Sequence, residues 1–119
     1  MDNIVEKETI YNYVKTAVSA IDEKKGEDIR VLDISEVSSF ADYFIVAAGS
    51  NKKQVQTMSD FVEEKLEKAG KTPLGIEGYP MASWILLDYG EFVIHIFSSE
   101  DRLFYDLERI WKDGKEIEI

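Results

Sequence analysis

The chain contains one histidine, His95, in the middle of the apolar run "FVIHIF", and two carboxylates, Asp88 and Glu91, flanking Tyr89-Gly90 just before it. A histidine beside an aspartate is the usual equipment for general acid–base chemistry near neutral pH. Nucleophilic catalysis would need more, and the chain has neither cysteine nor a Gly-x-Ser-x-Gly elbow. A zinc site built on a single histidine would need several converging carboxylates. The residue types therefore point away from a catalytic or metal centre. They leave His95 as a histidine on a partly buried sheet face.

The second place to look is "AAGSNKKQV", where Gly49-Ser50 closes an apolar stretch and a helical pattern begins. Backbone N–H groups at such a junction can hold a phosphate, and a Gly-Ser pair in this position is similar to the element used by nucleotidyltransferases. That chemistry relies on two or three acidic residues holding divalent ions, commonly as Asp-x-Asp. No Asp-x-Asp, P-loop or Gly-x-Gly-x-x-Gly occurs in the chain. The Gly-Ser reads as a helix cap. A nucleotide-binding or nucleotidyltransferase-like domain using Gly49 and Ser50 is carried as the alternative function, with no cofactor assigned. The runs "EEKLEK" and "EKKGED" read as solvated helix faces and ends.

Composition sets the frame for these residues. At 119 residues and 45% hydrophobic content the chain is expected to form one domain, spanning 1–119, with a core that needs no disulfide or metal. No apolar run reaches the ~18 residues of a membrane helix, and the start "MDNIVEKETI" is too acidic for a signal peptide. A soluble, cytoplasmic protein is the expectation. Acidic residues number 24 against 14 basic ones, a formal net charge of −10. That field repels phosphate backbones and disfavours direct nucleic-acid binding, while attracting a basic partner.

The elements that position these residues follow from periodicity. Ile10, Val14, Ala17, Val18 and Ile21 repeat at helical spacing, predicting an N-terminal helix over about 5–25 that ends at Gly26. "IRVLDI" reads as a strand, "SEVSS" as a connection, and "DYFIVAAG" as a strand buried on both faces. Asn51 with Gln54 resembles a capping box, followed by the stripe Val55, Met58, Val62 and Leu66 and by a stop at Gly70. "TPLGIEGYP" holds at most a short strand, and "WILLDYGEFVIHIF" is a hairpin. "SSEDRLFYDLERIW" reads as a last helix with Leu103, Leu107, Ile110 and Trp111 inward, leaving a tail over 112–119. The fold class is α/β: one domain, a mixed sheet of four to five strands, and helices packed mainly on one face.

The hairpin carries the functional signal. A two-residue Tyr89-Gly90 loop places Asp88 opposite Glu91, Leu86 opposite Val93 and Trp84 opposite His95. One face then holds Ile85, Leu87, Phe92, Ile94 and Ile96, wholly apolar and suited to a cover of helices. The other holds Trp84, Leu86, Asp88, Glu91, Val93, His95 and Phe97. An aromatic residue among aliphatic ones, rimmed by charge, has the anatomy of a protein interface. Such a face also serves self-association, so a homodimer is a further possibility.

"DYFIVAAGSNKKQV", "GIEG", "WILLDYGEFVIHIF" and "DRLFYDLERIW", in this order and spacing, resemble the ribosomal silencing factor (Iojap-like) family over about Asp33 to Trp111. The resemblance implies a nucleotidyltransferase-like α/β domain without the catalytic acids, making 1–119 a single ribosomal silencing factor domain. It implies a non-enzymatic translation repressor that binds ribosomal protein L-fourteen of the large subunit and prevents joining to the small subunit. The family's Trp-x-x-x-Asp strand falls on Trp84 and Asp88, its histidine on His95, and its last helix on Arg102, Tyr105, Leu107 and Glu108. Arg102 and Tyr105 thereby join the expected partner-binding set. One departure is "AAGS", where relatives often carry Thr-Gly-Thr.

Overall fold

A computed structural model of the chain describes residues 2–100 and 114–118, with side chains described from residue 7 onward. Helix α1 (Asp2–Glu23) buries Val14, Ala17, Ala20 and Ile21, the stripe that the 3.6-residue period demands. Helix α2 (Lys52–Lys68) buries Val55, Met58, Val62 and Leu66. Its start is capped by Asn51, whose Oδ1 accepts from the Gln54 N–H at 2.8 Å. The return bond of the expected capping box lands one residue earlier: Gln54 Oε1 accepts from the Ser50 N–H and from its hydroxyl. The predicted last helix, with Arg102, Leu103, Tyr105, Leu107, Glu108, Ile110 and Trp111, lies outside the described residues.

Among the described residues, six strands form one mixed sheet: β1 (Glu27–Asp33), β2 (Tyr43–Gly49), β3 (Gly75–Glu77), β4 (Trp84–Asp88), β5 (Phe92–Ser98) and β6 (Lys115–Ile117). The expected four to five strands therefore become six. The addition is β6, in the predicted tail, which pairs antiparallel with β1 from Val31↔Ile117 to Asp33↔Lys115. A three-residue edge strand has no alternation to read, because its partner, and not its own pattern, makes it a strand. The spatial order is β3-β4-β5-β2-β1-β6, and only β2 and β5 run parallel. This central pair is largely apolar on both faces, and every residue of β5 is buried.

Each face has its own core. Ile45, Ala47, Ile85, Leu87, Phe92, Ile94 and Ile96 pack against the α1 and α2 stripes. Each Ile, Leu or Phe of this set contributes roughly 2 kcal/mol by leaving water. On the opposite face, Leu32, Ile34, Ala41, Val46, Val93 and Phe97 form a second buried cluster, with Phe44 and Leu86 packed against it.

The hairpin register corrects the expectation. Trp84 pairs with Phe97, Leu86 with His95 and Asp88 with Val93. The loop is Gly90-Glu91, not Tyr89-Gly90: the Tyr89 N–H donates to the Phe92 carbonyl at 3.0 Å, and Gly90 takes φ +87°. The reason is Tyr89. Its ring is 1% exposed and stacks on Phe92 at 4.9 Å, so burial draws it out of the turn and into the strand pair. The pairing slides by two residues, and side chains alternate with period two, so the paired residues keep their faces, while Glu91 leaves the docking face for the loop.

Candidate docking face

Trp84 is delivered by the loop over 78–83, which α2 holds in place. Gln56 Nε2 donates to the Tyr79 carbonyl at 2.9 Å, and the Tyr79 hydroxyl donates to Asp60 Oδ2 at 3.0 Å. Gly78 sits at φ +81°, and a Cβ there would lie 2.1 Å from the Trp84 carbonyl oxygen, so the approach demands glycine. The loop closes with the Ala82 N–H on the Gly78 carbonyl at 2.9 Å and the Ser98 N–H on the Ser83 carbonyl at 3.0 Å. Trp84 thus starts β4 with its backbone clamped on both sides.

Its side chain is fixed by β5. The indole N–H donates to His95 Nδ1 at 3.1 Å. An indole nitrogen only donates, so Nδ1 carries the lone pair and the imidazole proton is on Nε2. Burial lowers the His95 pKa from 6.5 to about 4, which keeps that acceptor available at neutral pH. The Trp84 ring also stacks on Phe97 with centroids 5.5 Å apart, and Phe44 of β2 meets the imidazole edge-on at 4.8 Å.

These contacts sort the expected partner-binding residues into two layers. Val93, His95 and Phe97 are buried, at 8%, 5% and 1% exposure. They form a floor. Trp84, 37% exposed, stands on that floor with half-buried Leu86 and Asp88 along β4. Asp88 Oδ1 accepts from the Gly90 N–H at 2.8 Å and tightens the turn. Glu91 is engaged elsewhere: its Oε1 pairs with Lys71 Nζ at 2.9 Å. Arg102 and Tyr105 lie outside the described residues. Phe44 and Val46 were missed by the sequence reading. The alternation in "DYFIVAAG" separates them from Ile45 and Ala47, but only the β2–β5 pairing puts them beside His95.

Gly49 and Ser50 are part of the helix cap. The Ser50 N–H and hydroxyl both go to Gln54. A Cβ on Gly49 would lie 2.6 Å from Met58 Cε, so this glycine allows α2 to pack closely on the sheet.

Among the described residues, a mixed sheet with two helices on one face and an aromatic platform on the other is a scaffold for presenting a surface. Comparison with known proteins places it. The model of the family "Ribosomal silencing factor during starvation" matches residues 7–119. The chain is 37% identical to the ribosomal silencing factor RsfS of Bacillus subtilis over 85% of this chain and 86% of that protein. It is 34% identical to RsfS of Halalkalibacterium halodurans, over 89% of this chain and 91% of that one. A crystal structure from Bacillus halodurans superimposes with a TM-score of 0.83 at 31% identity, covering 92% of this chain and 99% of its own. The chain belongs to the ribosomal silencing factor family, which implies ribosome-associated regulation of translation. Among the described residues, no helix is long and apolar enough to cross a membrane.

Proposed function

We propose that this protein is a cytoplasmic, non-enzymatic translation repressor that docks through the β4 surface onto ribosomal protein L-fourteen of the large subunit. Occupying that position leaves no room for the small subunit, so repression is steric. The observation that carries the reading is the state of Trp84. It is a large aromatic side chain, partly exposed, yet held by an indole hydrogen bond and a stacking floor. A pre-oriented aromatic residue of this kind is the usual anchor of a protein–protein contact. Asp88, at the far end of the same strand, supplies a carboxylate for Lys or Arg of a basic partner.

The test is co-sedimentation with purified large subunits. Trp84→Ala is expected to weaken binding by about 2 kcal/mol, roughly 30-fold, with the fold retained. A variant that follows large subunits as well as the parent would place the interface elsewhere.

A further inference from the structure

The Trp84 side chain stacks on Phe97 of the second core cluster, whereas α2 packs on the opposite face of the sheet. Helix and tryptophan nevertheless meet through the loop over 78–83, which is plugged into the helix side twice. The Tyr79 ring packs against the core beneath the helices, and Ala82 is buried within that core. Ala82 also holds φ +55°, a left-handed conformation that a residue with a Cβ keeps only where its surroundings fix it. Trp84 follows two residues later. Any play in the loop therefore passes straight to the anchor.

Two polar side chains of α2 close the loop from outside. Gln56 and Asp60 are four residues apart and so share one edge of the helix. Gln56 Nε2 donates to the Tyr79 carbonyl at 2.9 Å, and Asp60 Oδ2 accepts from the Tyr79 hydroxyl at 3.0 Å. One residue is thus held at its backbone and at its ring tip. Tyr79 cannot swing without breaking one of these bonds.

Neither bond is needed to build α2, which is seated by its buried stripe Val55, Met58, Val62 and Leu66. Asp60 is exposed, and a surface contact of this kind adds little to global stability. Its effect is local order. His95 and Phe97 fix the Trp84 ring, and the clamped loop fixes the backbone from which that ring projects. A side chain ordered before its partner arrives loses less freedom on binding.

We propose that Gln56 and Asp60 are positioning residues for docking: acting through Tyr79 and the loop over 78–83, they hold Trp84 in its binding orientation. Affinity for the large subunit is then set in part from the helix side of the sheet, by side chains that do not touch the partner. The proposal rests on the reading of Trp84 as the ribosome-docking anchor, and it adds the device that keeps the anchor ready.

The experiment places Gln56→Ala, Asp60→Ala and Asp60→Asn in the full chain, each with Trp84 present and with Trp84→Ala. It reads affinity for purified large ribosomal subunits, the melting temperature, and the Trp84 indole N–H resonance, assigned by its absence in Trp84→Ala. Gln56→Ala and Asp60→Ala are each expected to weaken binding about fivefold, as loss of one ordering hydrogen bond does. Both should move the indole resonance and leave the melting temperature near the parent value. Asp60→Asn keeps an acceptor for the Tyr79 hydroxyl and is expected to bind like the parent. In the Trp84→Ala background the same changes should cost nothing further, because residues acting through one contact are not additive. Costs that add in that background mean that α2 or the loop touches the partner directly, and they overturn the proposal. An unmoved indole resonance overturns it whatever happens to binding. If the resonance moves but Trp84→Ala binds like the parent, the clamp orients Trp84 while the docking reading fails, and the role in docking falls with it.

Discussion

The decisive contact at the residue scale is the bond between the Trp84 indole and His95 Nδ1, because it turns a lone histidine into the support of a partly exposed tryptophan. Replacing His95 with Asn keeps a side-chain acceptor, whereas Phe keeps the shape and removes it. The Trp84 indole N–H resonance is expected to move in His95→Phe and to stay near its parent position in His95→Asn. Subunit affinity should fall only in the first. The same imidazole makes stability depend on pH. Its folded pKa of about 4 lies below the unfolded value of 6.5, so the unfolded chain takes up its proton first. The contribution is complete above pH 6.5 and is lost as pH falls toward 4, by roughly 3 kcal/mol in all. Urea midpoints at pH 7 and 4.5 check this: the parent should lose more stability than His95→Phe. Tyr89 offers a third residue test. Its hydroxyl is buried with no hydrogen-bond partner among the described residues, and burial pushes the phenol strongly upward. Tyr89→Phe is expected to raise stability by about 1 kcal/mol in urea titrations, since it removes an unsatisfied group and keeps the stacked ring.

At the element scale, the hairpin was legible as two strands with correctly divided faces, while its register was not. Turn chemistry favoured Tyr89-Gly90, but the energy of burying the Tyr89 ring against Phe92 outweighs it. The helix stripes and the Asn51 cap were legible for the opposite reason, since they depend on neighbours within one or two turns. The loop that carries Trp84 is different again. Nothing in "GYPMAS" announces that Gly78 lies against the Trp84 carbonyl or that α2 grips Tyr79. Gly78→Ala is expected to cost about 2–3 kcal/mol, because the backbone must leave both a positive φ and a close approach. Thermal unfolding of the variant measures it. Trp84 fluorescence should shift in parallel as the start of β4 loosens.

For the whole molecule, the formal charge of −10 governs encounter more than affinity. Asp88→Lys reverses a carboxylate at the other end of β4 from Trp84. It is expected to slow association with large subunits several-fold at low salt and to flatten the salt dependence, with less effect on dissociation; stopped-flow measurements across ionic strength separate the two. Composition, local periodicity and capping chemistry determined the class of this protein, its helices, its longer strands and the apolar division of its hairpin. Motif order carried the family, and with it the residues Trp84, Asp88 and His95. Only the tertiary structure decided that Val93, His95 and Phe97 lie beneath the surface while Trp84 stands on it. It alone brought Phe44 beside His95, paired Glu91 with Lys71 and joined the β1–β2 connection to the same face. The division has one cause. Alternation along a strand is a local property and can be read residue by residue, whereas burial depends on which distant segments arrive, and that is settled only when the sheet assembles.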